Sequence, residues 1–192
     1  MPPRPECHRY WLISSTTYGT RLPGDPRGTT GDIRDDAGHK YRDNRPHTPL
    51  NPPLPALHTY TLKTLNAPPV RLGLAHAQHI LEQWHETAAY RHWFLMAVSI
   101  MDNHFHCVLG VPGDPAPQTL LQSLKAYASR RLNLHFPRPS SKTWWTESGS
   151  NRKLPTDLAV LAAIRYVLDQ PVPLLIWTAA IPELNLTEGL KT

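Results

Sequence analysis

The chain has 192 residues, enough for one domain with a real core, and 40% of them are apolar, a little below ordinary globular usage. No apolar run approaches the ~18 residues of a membrane-crossing helix, and the opening MPPRPECHRY lacks the apolar core of a secretory signal. Two cysteines cannot build a disulfide framework, so the expected location is the reducing cytoplasm, away from membranes.

HRYWLISSTTYG (8–19) alternates and is rich in β-formers, which predicts a first strand. The next stretch, about 19–58, is turn chemistry without periodicity and reads as an irregular Pro/Gly-rich insertion. LGLAHAQHILEQWHETAAYRH (72–92) spaces Leu74, Ala77, Ile80, Leu81, Trp84 and Ala88 as a helix does. WFLMAVSIM (93–101) and HFHCVLGV (104–111) are two strands joined by Asp102 and Asn103, a two-residue hairpin signal. Asp114 with Pro115 marks a helix start, and residues 118–136 form a helix striped by Leu121, Leu124, Ala128 and Leu132. SSKTWWTESGSNRKL is a loop or short edge strand; residues 156–171 are a last helix capped by Thr156, with a poorly defined tail after 172. The order predicts one α+β domain over 1–192, a ferredoxin-like sandwich of an antiparallel sheet with helices packed mainly on one face.

His104 and His106 alternate along a strand and so project from one face, with Phe105 turned to the core. Two readings stand: a clamp for a divalent cation, or ordinary surface histidines in a chain that has 11 of them. Tyr127, flanked by Lys125, Arg130 and Arg131, sits on the margin of the next helix's apolar stripe. It reads either as a core anchor with a wet hydroxyl or as a nucleophile. The net charge is +5, and residues 120–153 hold seven basic side chains against Glu147 alone. That suits a polyanion as well as it suits a solvated helix face. Clamp, tyrosine and basic helix together are what cutting and rejoining a DNA strand requires: Lewis-acid polarisation of a phosphate, an attacking phenol and phosphate anchors.

These segments resemble the single-tyrosine HUH transposases, especially the REP-associated tyrosine transposases. The resemblance rests on STTYGTRLPGDPRG (15–28), MDNHFHCVLGV, LKAYASRRLN, WWTESGSNRKL and AAIRYVLDQP, in order over most of residues 9–171. It implies a Mg²⁺- or Mn²⁺-dependent endonuclease and strand transferase acting on single-stranded or hairpin-forming DNA through a 5′-phosphotyrosine. Carried over residue by residue, His104 and His106 hold the metal and Tyr127 attacks. Lys125, Arg130, Arg131, Arg152 and Lys153 are expected to contact phosphates, and Thr17, Tyr18 and Gly19 to read the DNA. Trp144 or Trp145 stacks on an unpaired base or packs in the core. Departures are Arg21, where the similar branch often has Trp, and Ser148, where it has His. Asp102 and Asn133 are candidates for a third metal ligand, and the resemblance admits a monomer or a homodimer. The alternatives are a non-catalytic single-stranded nucleic-acid binding module and a zinc-dependent hydrolase; a replication initiator or relaxase is a mechanistic neighbour.

Overall fold

The computed structural model describes residues 7–28 and 53–180. Its elements are β1 (Arg9–Thr16), α1 (Pro55–Lys63), α2 (Leu74–Arg91), β2 (Phe94–Ile100), β3 (His104–Val111), α3 (Pro117–His135), β4 (Ser150–Lys153), α4 (Asp157–Leu168) and β5 (Leu175–Thr178). The strands form one sheet in the order β4-β1-β3-β2-β5, antiparallel at every pairing. β1, α2, β2, β3, α3 and β4 reproduce the ferredoxin-like β-α-β-β-α-β pattern. α4 and β5 extend it, with β5 added beside β2.

Alternation along the strands builds two cores. Trp11, Ile13, Phe105, Cys107 and Leu109 pack against α2 and α3, which close over them with Ile80, Trp84, Leu121, Leu124 and Leu132. Met96, Ala97 and Val108 occupy the opposite face under Val160, Ala163, Ile164 and Val167 of α4. Helices therefore cover both faces, two long ones on the first and α4 on the second.

Phe105 is fully buried at the centre of the first core. Its ring meets Trp84 edge-on at 4.7 Å and Trp145 at 5.4 Å, both favourable quadrupole arrangements. The Trp84 indole is satisfied by donating to the Leu124 carbonyl at 3.1 Å, which also ties α2 to α3. Thr156 caps α4 as expected, accepting from the Ala159 amide at 3.2 Å.

The hairpin is the predicted one, with the Met101 amide donating to the His104 carbonyl at 2.9 Å across Asp102–Asn103. Its tip is anchored from outside: the Leu72 amide donates to the Asp102 carbonyl, and the Thr17 amide to that of Asn103.

Three expectations are corrected. The stretch expected to be irregular, about 19–58, runs at its end into α1, which opens with Pro55 in its first turn, where the missing N–H costs nothing; residues 29–52 of that stretch lie outside the described residues. α3 starts at Pro117 with Ala116 as its cap, later than Asp114. The tail after 172 carries β5, whose four residues are too few for a periodic signal; 181–192 lie outside the described residues. Among the described residues no helix is long and apolar enough to cross a membrane.

Replacing Phe105 with Ala is expected to cost ~3–5 kcal/mol in urea unfolding, because a ring enclosed by two tryptophans leaves a cavity. Tyr90→Ala, at a residue 80% exposed, is expected to change stability by less than about 0.5 kcal/mol.

Candidate active site

His104 opens β3 and His106 follows two residues on, at the centre of the sheet, on the face that α4 covers. Their rings lie 5.1 Å apart, nearly perpendicular. Each has its Nδ1 occupied. The register sets Ser14 of β1 opposite His106, and Ser14 Oγ hydrogen-bonds that Nδ1. Asn103 Oδ1 takes the Nδ1 of His104. Such partners fix ring orientation, and they leave Nε2 of each ring to face a cation. Nothing in the residue spacing pointed to Ser14. Only strand register brings a residue 92 positions away to the imidazole.

Both imidazoles are held neutral. Burial pushes His106 down to about 4, helped by His104 beside it. His104 is lowered by burial and then by the positive fields of Arg21 and Arg27, with Asp102 opposing. Neutral rings are the form that ligates a metal.

The tyrosine nearest the histidines is Tyr166, not Tyr127. The Tyr166 ring stands 5.1 Å from that of His106, reached from α4 across the sheet face. Gln170, just past the end of α4, donates Nε2 to the Tyr166 carbonyl at 2.8 Å, and its Oε1 is the acceptor atom of that amide. Tyr127 lies on α3, which packs on the other face with Phe105 and Cys107. There the guanidiniums of Arg130 and Arg91 sit over its ring at 5.1 and 5.8 Å. Within one chain the sheet itself separates Tyr127 from the histidines. The signal that would have selected Tyr166 was in AAIRYVLDQP: a tyrosine beside the Ala163–Ile164–Val167 stripe with an amide one turn later.

The expected phosphate contacts divide. Lys125 is buried, and its Nζ donates to the carbonyls of Thr146 and Ser148 at 2.8 and 2.7 Å. Burial brings its pKa down to about 8. It clamps the 146–148 loop to α3 and presents no charge outward. Arg131 bridges α3 to α2 through Glu82 and Glu86, at 2.7 and 2.9 Å. Arg130 is exposed on the Tyr127 side. Arg152 and Lys153 are both exposed on β4. Arg152 pairs with Leu12 and so shares the histidine face, whereas Lys153 shares the face of its partner Trp11.

Thr17 and Gly19 are built into the base of the site loop, and Tyr18, half-buried, is tied to it through its amide. Thr17 Oγ1 is fully buried and donates to the Val70 carbonyl at 2.7 Å, and the Tyr18 amide bonds the Trp144 carbonyl. Gly19 adopts φ +73° with Pro69 Cα 3.1 Å from where a Cβ would stand, so a side chain is excluded twice over. Trp144 and Trp145 are both buried, with indoles bonded to Asn133 and Ser129. That removes them as base-stacking platforms and Asn133 as a metal ligand. Asp102 is drawn to Arg71 at 2.6 Å.

The rest of the site loop, absent from the expected set except by resemblance, carries Arg21 and Arg27. Asp25, buried, is closed by Arg27 through two bonds of 2.9 and 2.7 Å; these hold its carboxyl down to about 2. Arg27 also caps the Thr20 carbonyl. The site thus joins a neutral histidine pair, a tyrosine and an arginine-bearing loop. Among the described residues there is no group of three His, Cys, Asp or Glu side chains able to hold a metal.

Residues 71–152 match the family model described as IS200-like transposase. The matched segment holds the histidine hairpin, α3 and β4, and the match ends before α4. The family is the one its motifs resemble. The solved structure of a REP-associated tyrosine transposase bound to a REP hairpin is 11% identical; the alignment covers 87% of this chain and 68% of that one, with a TM-score of 0.46. A Deinococcus radiodurans R1 protein described as a candidate transposase is also 11% identical, over 90% of this chain and 98% of that one, with a TM-score of 0.41. No curated protein matches the chain significantly.

His106 couples acidity to stability. Between about pH 6.5 and 4 the unfolded chain binds a proton that the folded one refuses. This contribution is therefore full above about pH 6.5 and lost as pH falls toward 4, on the order of 3 kcal/mol in all. Urea unfolding followed from pH 7 to pH 4 is expected to weaken accordingly, and His106→Gln to flatten that part of the slope.

Proposed function

We propose that the protein is a single-tyrosine DNA transposase that cuts and rejoins single-stranded or hairpin-forming DNA, with Tyr166 as its nucleophile in place of Tyr127. The observation that carries this reading is the 5.1 Å approach of Tyr166 to His106 on one sheet face. The IS200-like match over residues 71–152 supports the class of reaction.

His104 and His106 would hold a divalent cation, Mg²⁺ or Mn²⁺, with Gln170 Oε1 as the favoured third donor. The two neutral imidazoles, oriented through Nδ1, fit such an ion and leave positions for further oxygen ligands from protein, water and substrate. When bound, the cation supplies Lewis-acid polarisation of the scissile phosphate.

The chain's own residues do the rest. Ser14 and Asn103 keep the imidazoles aimed. Tyr166 Oη loses its proton to solvent and attacks phosphorus. The P–O3′ bond breaks as the new O–P bond forms; its electron pair leaves on O3′, which takes up a proton. The products are a 5′-phosphotyrosine and a free 3′-OH. Attack by another 3′-OH reverses the exchange and rejoins a strand, conserving the bond energy. Arg152, exposed on the same face, is the favoured contact for the DNA backbone among the basic residues expected from sequence.

The test is a denaturing gel of protein incubated with Mn²⁺ and labelled single-stranded oligonucleotides copied from the DNA flanking the gene. Wild type is expected to give a covalent band that EDTA abolishes, that Tyr166→Phe loses entirely and that Tyr127→Phe retains. Loss in Tyr127→Phe with retention in Tyr166→Phe would return the nucleophile to Tyr127, supplied across a second copy of the chain. Binding without any covalent band in wild type would leave the non-catalytic binding module as the function.

A further inference from the structure

We propose that Arg21 grips the scissile phosphate through its non-bridging oxygens; the inference deepens the strand-transfer reading and rests on it. Two cations reach the histidine face from the 20–28 loop, and their situations differ. Arg27 is engaged: it closes on both oxygens of Asp25 and on the Thr20 carbonyl. Arg21 has no carboxylate partner of its own among the described residues. Its one hydrogen bond there is a long one, 3.4 Å, to the Arg27 carbonyl.

Arg21 is nevertheless half-buried; it follows Thr20, whose hydroxyl donates to the Asn103 carbonyl at 3.1 Å beside His104, and its positive field reaches His104. Burial and the neighbouring Arg27 both act against that charge. A guanidinium cannot escape by giving up its proton at any ordinary pH. Asp25 offsets that charge only in part, because its carboxylate is already closed by Arg27, so among the described residues the Arg21 cation is incompletely compensated. An anion arriving between it and Tyr166 completes the compensation. The anion that must arrive is the phosphate that Tyr166 attacks.

The planar fork of a guanidinium donates two parallel N–H bonds to phosphate oxygens, and those bonds strengthen as negative charge builds on the five-coordinate phosphorus. The buried Asp25–Arg27 pair gives the loop its shape without consuming Arg21. Gly24, at φ +78° and packed against Leu54 and His58 of the α1 N-terminus, pins the same loop from behind.

The probe is the flanking-DNA oligonucleotide with one methylphosphonate, which lacks the phosphate charge, walked through every position. On the ordinary strand Arg21→Gln is expected to slow covalent-band formation by about 100-fold, the usual scale for losing one oxyanion donor. Arg21→Lys is expected to recover only part of that loss, because it restores charge without the fork. With methylphosphonate at the cleaved position, wild type and Arg21→Gln should react within about threefold of each other. Equal slowing on both substrates, or no slowing on the ordinary strand, would overturn the proposal while leaving the transposase reading intact.

If wild type forms no covalent band, binding decides. One methylphosphonate position should weaken wild-type binding about tenfold and leave Arg21→Gln binding unchanged. No position with that behaviour would refute the grip. Matching thermal midpoints of the two proteins guard against misfolding as the cause.

Discussion

Everything at the site depends on the two-residue period of β3. Phe105, Cys107 and Leu109 must enter the core under α2 and α3. His104 and His106 are therefore obliged to stand on the opposite face. A slip of one residue would drive the imidazoles into the apolar core under α2 and α3 and turn Phe105 toward α4, so the same packing energy that holds the fold holds the histidines. The tryptophans around Phe105 make that register costly to lose.

The same constraint decides what can meet the histidines. α2 and α3 are excluded by the sheet's thickness. What remains is β1 through Ser14, the hairpin tip through Asn103, α4 through Tyr166 and the 20–28 loop through its arginines. These groups come from four separate parts of the chain and are drawn together by sheet order β4-β1-β3-β2 and by the docking of α4. Polar partners occupy one nitrogen of each ring and burial keeps the rings neutral, so the pair is poised as ligands and not as charges.

Charge counting along the chain proved a coarse guide. The basic stretch 120–153 is real, but its members serve different ends. Lys125 satisfies loop carbonyls and Arg131 ties two helices through Glu82 and Glu86. A sequence count cannot tell a cation facing solvent from one consumed by tertiary partners. The loop arginines Arg21 and Arg27 lay outside the count and are the ones whose fields reach His104.

The sequence by itself determined the ferredoxin-like order of elements, the two-residue hairpin at Asp102–Asn103, and the fact that His104 and His106 share a face. All three are local: periodicity, turn chemistry and strand alternation act within about ten residues. The tertiary structure alone decided which tyrosine meets the histidines. Tyr127 and Tyr166 both border apolar stripes, and each stripe demands burial without saying on which face of the sheet. That choice was made by long-range packing, with α3 taken by the Trp84–Phe105 core and α4 left to cover Val108 and, with it, the histidines.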